Sequence, residues 1–169
     1  MSQGDWKIYA PKDSSSMSCQ VQDRTSSSLT VTIKPGEMVK RASDGSPYVI
    51  PILDGDPEQG TDKVVGIADT VSTETTSADG RVDVQLITPE TILEVKATTL
   101  ANVDTQAEID ALVGDVVSGD VSSLTQTLDE NEGNDDNAHG FIIMGGNPEK
   151  GTLYVRTKSA VLETGSAIS

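Results

Sequence analysis

Residues 64–97 read VVGIADTVSTETTSADGRVDVQLITPETILEVKA, and this stretch decides the fold class. Within it Val82, Val84 and Leu86 alternate with Arg81, Asp83 and Gln85. A two-residue period sends successive side chains to opposite faces of a strand, so this segment is a half-buried strand. Asp79-Gly80 ahead of it is turn chemistry, because glycine accepts positive φ without steric cost. Val64–Val71 and Ile92–Ala97 read as the strands before and after it, the latter beyond Thr88-Pro89-Glu90. Nothing in the stretch carries recognisable reaction chemistry.

The flanking sequence repeats the pattern. Upstream, LTVTIKPG sets Leu29, Val31 and Ile33 against Thr30, Thr32 and Lys34, and Pro35-Gly36 ends the strand. Met38–Ala42 and Tyr48–Leu53 are further short strands. Pro51 places the second of these at a sheet edge, since proline cannot donate a ladder hydrogen bond. Downstream, Thr105-Gln106-Ala107-Glu108 matches a capping box, and Ile109, Leu112 and Val113 form a helical stripe closed by Gly114. This predicts one short helix over about 106–113. Val116–Val121 and Leu124–Leu128 are weaker strands. Phe141–Met144 and Leu153–Arg156 form a hairpin around GGNPEKG. Ser159–Leu162 either extends its second strand or begins a tail. Short strands separated by turn signals, without strand–helix alternation, predict a mainly β fold. The expected architecture is a small antiparallel β-barrel or sandwich with one short helix and an extended N-terminal arm.

The domain reading is an arm over 1–28, a β-rich body over 29–162 and a tail over 163–169. The arm holds eight serines and no apolar period, so alone it cannot bury enough surface to offset its ordering entropy. It also holds the single tryptophan. Trp6, Ile8 and Tyr9 are therefore the candidate partner-binding residues of a contact arm, a frayed terminus is the competing reading, and removal of 1–28 is expected to leave the body folded.

The chain has 169 residues, enough for one domain burying about 70% of its unfolded surface. Its aromatics are Trp6, Tyr9, Tyr48, Phe141 and Tyr154, so Val, Ile and Leu must fill the core. With 27 acidic and 12 basic residues the net charge is −15. That balance argues against nucleic acid, which requires a basic footprint, and against an anionic membrane surface. Like charge favours solubility and fits a cationic partner. One cysteine, Cys19, can form no intrachain disulfide. The first residues lack the apolar run of a signal peptide, and no run reaches the ~18 apolar residues of a membrane helix. Synthesis in the cytoplasm is expected.

Candidate chemistry is sparse. His139 is the lone histidine, no G-x-S-x-G elbow surrounds any serine, and one Cys with one His cannot make a zinc site. The loop 129–137, DENEGNDDN, carries Asp129, Glu130, Glu132, Asp135 and Asp136. Clustered oxygens suit calcium, but Gly133 falls where an EF-hand needs its third ligand, so a solvated loop is the competing reading. Asp54 and Asp56 are read as turn residues. No catalytic residue, cofactor or metal is assigned.

Taken in order, several segments resemble the head decoration, or cement, proteins of tailed bacteriophages. They are GEMVKRASDGSPYVIPILDGD, VVGIAD, GRVDVQLITPETILEV, IDALVGDVV and GFIIMGGNPEKGTLYVRT, spanning about residues 29–158. The Ser-rich start has no counterpart in that pattern. The resemblance implies a non-enzymatic structural virion protein. Such a protein sits on the outer capsid surface as a homotrimer and clamps neighbouring copies of the major capsid protein. The alternatives are a receptor- or glycan-binding module of a fibre or tail-associated protein, for which aromatic platforms are few, and a small hydrolase.

Overall fold

Two five-stranded antiparallel sheets stack as a sandwich in the computed structural model, which describes residues 5–11, 15–21, 31–42, 47–74, 80–122 and 125–163. The strands are Trp6–Ala10 (β1), Ser16–Gln20 (β2), Val31–Ile33 (β3), Met38–Arg41 (β4), Val49–Pro51 (β5), Val64–Ala68 (β6) and Ser72–Glu74 (β7). Arg81–Leu86 (β8), Ile92–Lys96 (β9), Val116–Val117 (β10), Gly119–Ser122 (β11), Thr125–Leu128 (β12), Phe141–Asn147 (β13) and Thr152–Thr157 (β14) follow. The first sheet runs β1-β9-β14-β13-β10 and the second β2-β8-β6-β4-β5, while β3–β7 and β11–β12 are two-stranded ribbons. The sheets do not close into a barrel, which resolves the two architectures in favour of the sandwich.

The main core lies between the sheets. Leu93, Val95, Phe141, Ile143, Leu153 and Val155 of the first sheet meet Met38, Val64 and Ile67 of the second. A second cluster of Val39, Val65, Ala68, Val82, Val84 and Cys19 lies on the other face of the second sheet, with Ile33 of β3 in it. The period of β8 is as the sequence indicates, and its apolar face points into this second cluster. Between β6 and β8 the backbones approach closely at Gly66, where a Cβ would sit 1.9 Å from the Gln85 carbonyl oxygen.

Pro51 does lie in an edge strand, β5. The helix, Gln106–Leu112 (α1), carries the expected capping box between Thr105 and Glu108. It buries Ile109, and Gly114 follows it with φ 96°. Val113 is extended and exposed, because the helix ends one residue before it. The hairpin β13–β14 is longer than its apolar run and contains a bulge between Ile143 and Gly145. Ser159–Val161 is a 3-10 turn.

The N-terminal region corrects the arm reading. β1 is the edge strand of the first sheet, paired with β9, and β2 is the edge strand of the second, paired with β8. Polar composition hid these strands because their backbones find partners on strands about sixty to ninety residues away, and ladder hydrogen bonds need no apolar period. Residues 22–30, 43–46, 75–79 and 164–169 lie outside the described residues, including most of the Ser-rich run and the tail beyond Glu163.

Candidate functional site

β1 positions the three proposed contact residues differently. Trp6 is 1% exposed, its ring centroid 4.8 Å from that of Phe141, and its backbone N–H donates to the Gly36 carbonyl at 2.9 Å. It is a core residue and not a contact residue. Ile8 is half-buried and packs on the same core. Only Tyr9 presents its side chain, at 49% exposure. Trp6 and Ile8 point inward because strand period 2 puts them on one face, and the bulge after Ile8 leaves Tyr9 on the other.

Tyr9 meets Tyr154 of β14 across β9, with ring centroids 4.4 Å apart and planes tilted by 31°. Partial burial, then Glu94 and Tyr9, raises the Tyr154 phenol above its ordinary value, so it remains a donor at neutral pH. Tyr154 is legible in the alternation of TLYVRT, where Leu153 and Val155 are buried and Tyr154 and Arg156 are not. Its pairing with Tyr9 is not legible, because it depends on sheet order.

Beside this aromatic pair the outer face is charged with both signs. Lys7 and Glu94 stand opposite one another across β1 and β9, and Lys96 stands opposite Thr152 across β9 and β14. A cleft of about 380 Å³ opens here, lined by Asp5, Lys7, Glu94, Lys96, Gln126 and Thr152 among others. Gln126 is buried and fixed at both ends: its Oε1 accepts from the Met38 N–H at 2.8 Å and its Nε2 donates to the Met38 carbonyl at 3.3 Å. Asp5 accepts from the Gln126 N–H at 2.7 Å. These contacts fasten β12 to both sheets.

The acidic loop is pinned to the body. Glu130 is 4% exposed and accepts from the N–H groups of Thr98 at 2.9 Å and Thr99 at 3.0 Å, and from Asn102 Nδ2 at 3.2 Å. Glu132 accepts from both the N–H and the hydroxyl of Ser118, and its Oε2 lies 3.4 Å from His139 Nε2. Asp136 pairs with Lys158 at 2.8 Å. The carboxylates diverge to separate neighbours, and among the described residues no set of three or more His, Cys, Asp or Glu side chains gathers to hold a metal. Ser118, Glu132 and His139 do not form a triad: the carboxylate stands between serine and histidine, so the imidazole reaches no hydroxyl.

Asp56 is more than a turn residue. Its carboxylate reaches the buried ammonium of Lys40 at 2.6 Å, and Asp62 reaches the same nitrogen at 2.7 Å.

No helix among the described residues is long and apolar enough to cross a membrane. Compared with known proteins, the chain matches no family model, no curated protein and no solved structure.

Proposed function

We propose that the chain is a structural virion protein that binds the outer surface of a phage capsid and clamps neighbouring major capsid subunits, acting as a homotrimer. The observation that carries this reading is the order of the resembling segments. They fall in chain order on elements of one sandwich: β4–β5, β6, β8–β9, α1–β10 and the β13–β14 hairpin. A sandwich with a main core between its sheets and one edge of each sheet formed by an N-terminal strand is a stiff body suited to bridging. Three linked copies add modest contacts through effective concentration. Tyr9 and Tyr154 supply the aromatic contact, since tyrosine gives large area at low entropy cost and is enriched at interfaces.

Deleting 1–28 cannot probe this reading, because it removes β1, β2 and Trp6 from the folded body. The test is co-sedimentation of the full chain, and of Tyr9→Ser, with expanded empty capsids. Wild-type protein should pellet at a fixed saturating stoichiometry, and Tyr9→Ser should bind more weakly at an unchanged melting temperature. Wild-type protein left wholly in the supernatant refutes the proposal.

The glycan-binding alternative keeps one specific point in its favour, the Tyr9–Tyr154 pair beside a polar cleft. Saturable retention on an oligosaccharide array, lost in Tyr9→Ser and without capsid binding, would favour it.

A further inference from the structure

Lys40 is the most deeply buried cation among the described residues, 4% exposed on a central strand of the second sheet. Its position follows from register: Met38 pairs with Ile67 and Lys40 with Val64, so Lys40 shares the face that meets the main core. The loop between β5 and β6 brings two carboxyl groups to its amine. Asp56 Oδ2 stands 2.6 Å from Nζ and Asp62 Oδ1 2.7 Å from it, with Asp56 8% and Asp62 4% exposed. Backbone donors aim both carboxyls. The Leu53 N–H donates to Asp56 Oδ2 at 2.6 Å, the Glu58 N–H to Asp62 Oδ2 at 2.7 Å, and the Gly119 N–H holds the Asp56 carbonyl at 2.7 Å. An amine is thus fixed against a carboxyl carbon one bond further on, in a pocket that largely excludes water.

We propose that Lys40 and Asp56 are joined by an intramolecular amide bond that forms within the folded chain, with Asp62 carrying the proton. The chemistry is a balanced condensation. Nζ passes one proton to the Asp62 carboxylate and attacks Cγ of the protonated Asp56 carboxyl. The new N–C bond forms, the C–OH bond breaks, Asp62 returns its proton to the departing hydroxyl, which leaves as water, and the second proton shed by Nζ passes to the Asp62 carboxylate, which ends as the carboxylic acid. No oxidant, metal or cofactor is consumed. Proximity of this kind replaces an improbable encounter with a unimolecular step, worth effective molarities of about 10⁵ M and above.

The two carboxyls are suited to different parts. Burial raises the Asp56 carboxyl above its ordinary value, against the pull of Lys40 and the Leu53 N–H. Of the two carboxyls Asp56 is therefore the more readily protonated, and a carboxylic acid, unlike a carboxylate, can be acylating. Burial also acts on Asp62, but hydrogen bonds from Lys40, the Glu58 N–H and Asp56 outweigh it and leave Asp62 below its ordinary value, as the carboxylate that receives the proton. Burial pulls Lys40 down, yet its two carboxyl partners outweigh that and keep the amine mostly protonated. The reaction consequently starts from a small neutral fraction and proceeds over the life of the folded protein rather than during folding. The amide would replace a buried charged cluster by a neutral link between β4 and the β5–β6 loop, independently of any capsid binding.

The test is intact mass spectrometry of the purified full chain under denaturing conditions, followed by tryptic mapping. The expected result is a protein lighter by one water. Its map should contain a branched peptide joining residue 40 to the peptide that carries residue 56, with fragments locating the branch at Asp56. Lys40→Arg should restore the full mass. A cooperatively melting wild-type sample at full sequence mass, cleaved normally after Lys40, overturns the proposal. A branch at Asp62 overturns the assignment of the acyl donor. Loss of water that persists in Lys40→Arg with only linear peptides marks cyclisation at an Asp-Gly step and counts against the cross-link.

Discussion

Replacing Trp6 with alanine separates a structural edge strand from a dispensable arm. The side chain is 1% exposed and rests on Phe141. A buried tryptophan removes on the order of 200 Å² from water, worth about 5 kcal/mol at ~25 cal/mol per Å². Two effects reduce that figure. Trp6 Nε1 is buried with no hydrogen-bond partner among the described residues, so the native state already bears roughly 1–3 kcal/mol of unpaired N–H that the substitution relieves. β1 is also an edge strand, free to settle toward the cavity on one side. The residual cavity acts the other way, so the expected loss is about 3–4 kcal/mol, inside the range for large aromatic truncations. With a urea m-value of about 2 kcal/mol/M, the midpoint followed by far-UV circular dichroism should fall by roughly 1.5–2 M at unchanged m. Because the chain has a single tryptophan, wild-type fluorescence reports this site alone and should be blue-shifted and shielded from iodide. A midpoint shift equivalent to less than about 1 kcal/mol, with solvent-quenched wild-type emission, would refute the placement of β1 in the core.

Two further changes probe the second sheet. Gly66→Ala puts a methyl 1.9 Å from the Gln85 carbonyl, so β6 and β8 must separate; a loss of about 3 kcal/mol is expected in thermal or urea unfolding, and a neutral outcome would mean the strands are not this close. Glu37 is 4% exposed, and burial raises its carboxyl above its ordinary value despite the Lys34 N–H that donates to it at 2.8 Å. A raised value means the fold holds this proton more tightly than the unfolded chain. That contribution is complete below about 4.5, the ordinary value, and is lost as pH rises through the folded value. Glu37→Gln, whose amide oxygen can still accept from Lys34, should therefore be more stable than wild type at pH 7, with the gap closing in acid; equal stability across that range would reject the buried-charge account.

The strands that could be read from the sequence are those whose apolar residues keep a period or form an unbroken run. β8, β9 and β14 declare themselves because their apolar residues alternate with polar ones, β13 does so as a continuous apolar run, and α1 through its Thr105–Glu108 box. The layer that each strand faces is not encoded locally. Val82 and Val84 have the same pattern whether they meet the first sheet or the second cluster, and strand order alone sends them to the latter. β1 and β2 were illegible for the opposite reason. Their stability comes from ladder partners at β9 and β8, so a serine-rich segment becomes a strand without an apolar period. The same non-local pairing turns Trp6 from an apparent contact residue into a core residue, and it brings Tyr9 onto Tyr154.

That contrast bears on where function resides in such a fold. The aliphatic positions specify layers and carry no chemistry, so a reading by period recovers the scaffold and leaves the site blank. The chemically distinctive groups are the ones that break the period. Lys40 occupies a core-facing position where an aliphatic residue would satisfy the pattern, and Asp56 and Asp62 come from a loop that composition marks only as polar. Retaining a buried ammonium between two carboxyls is a weak way to stabilise a sheet, because desolvation opposes most of the Coulomb gain and well-packed apolar side chains often do as well. A covalent link across the same atoms changes that balance. It converts a costly charged cluster into a neutral tie within the body that the capsid-binding reading requires to be stiff.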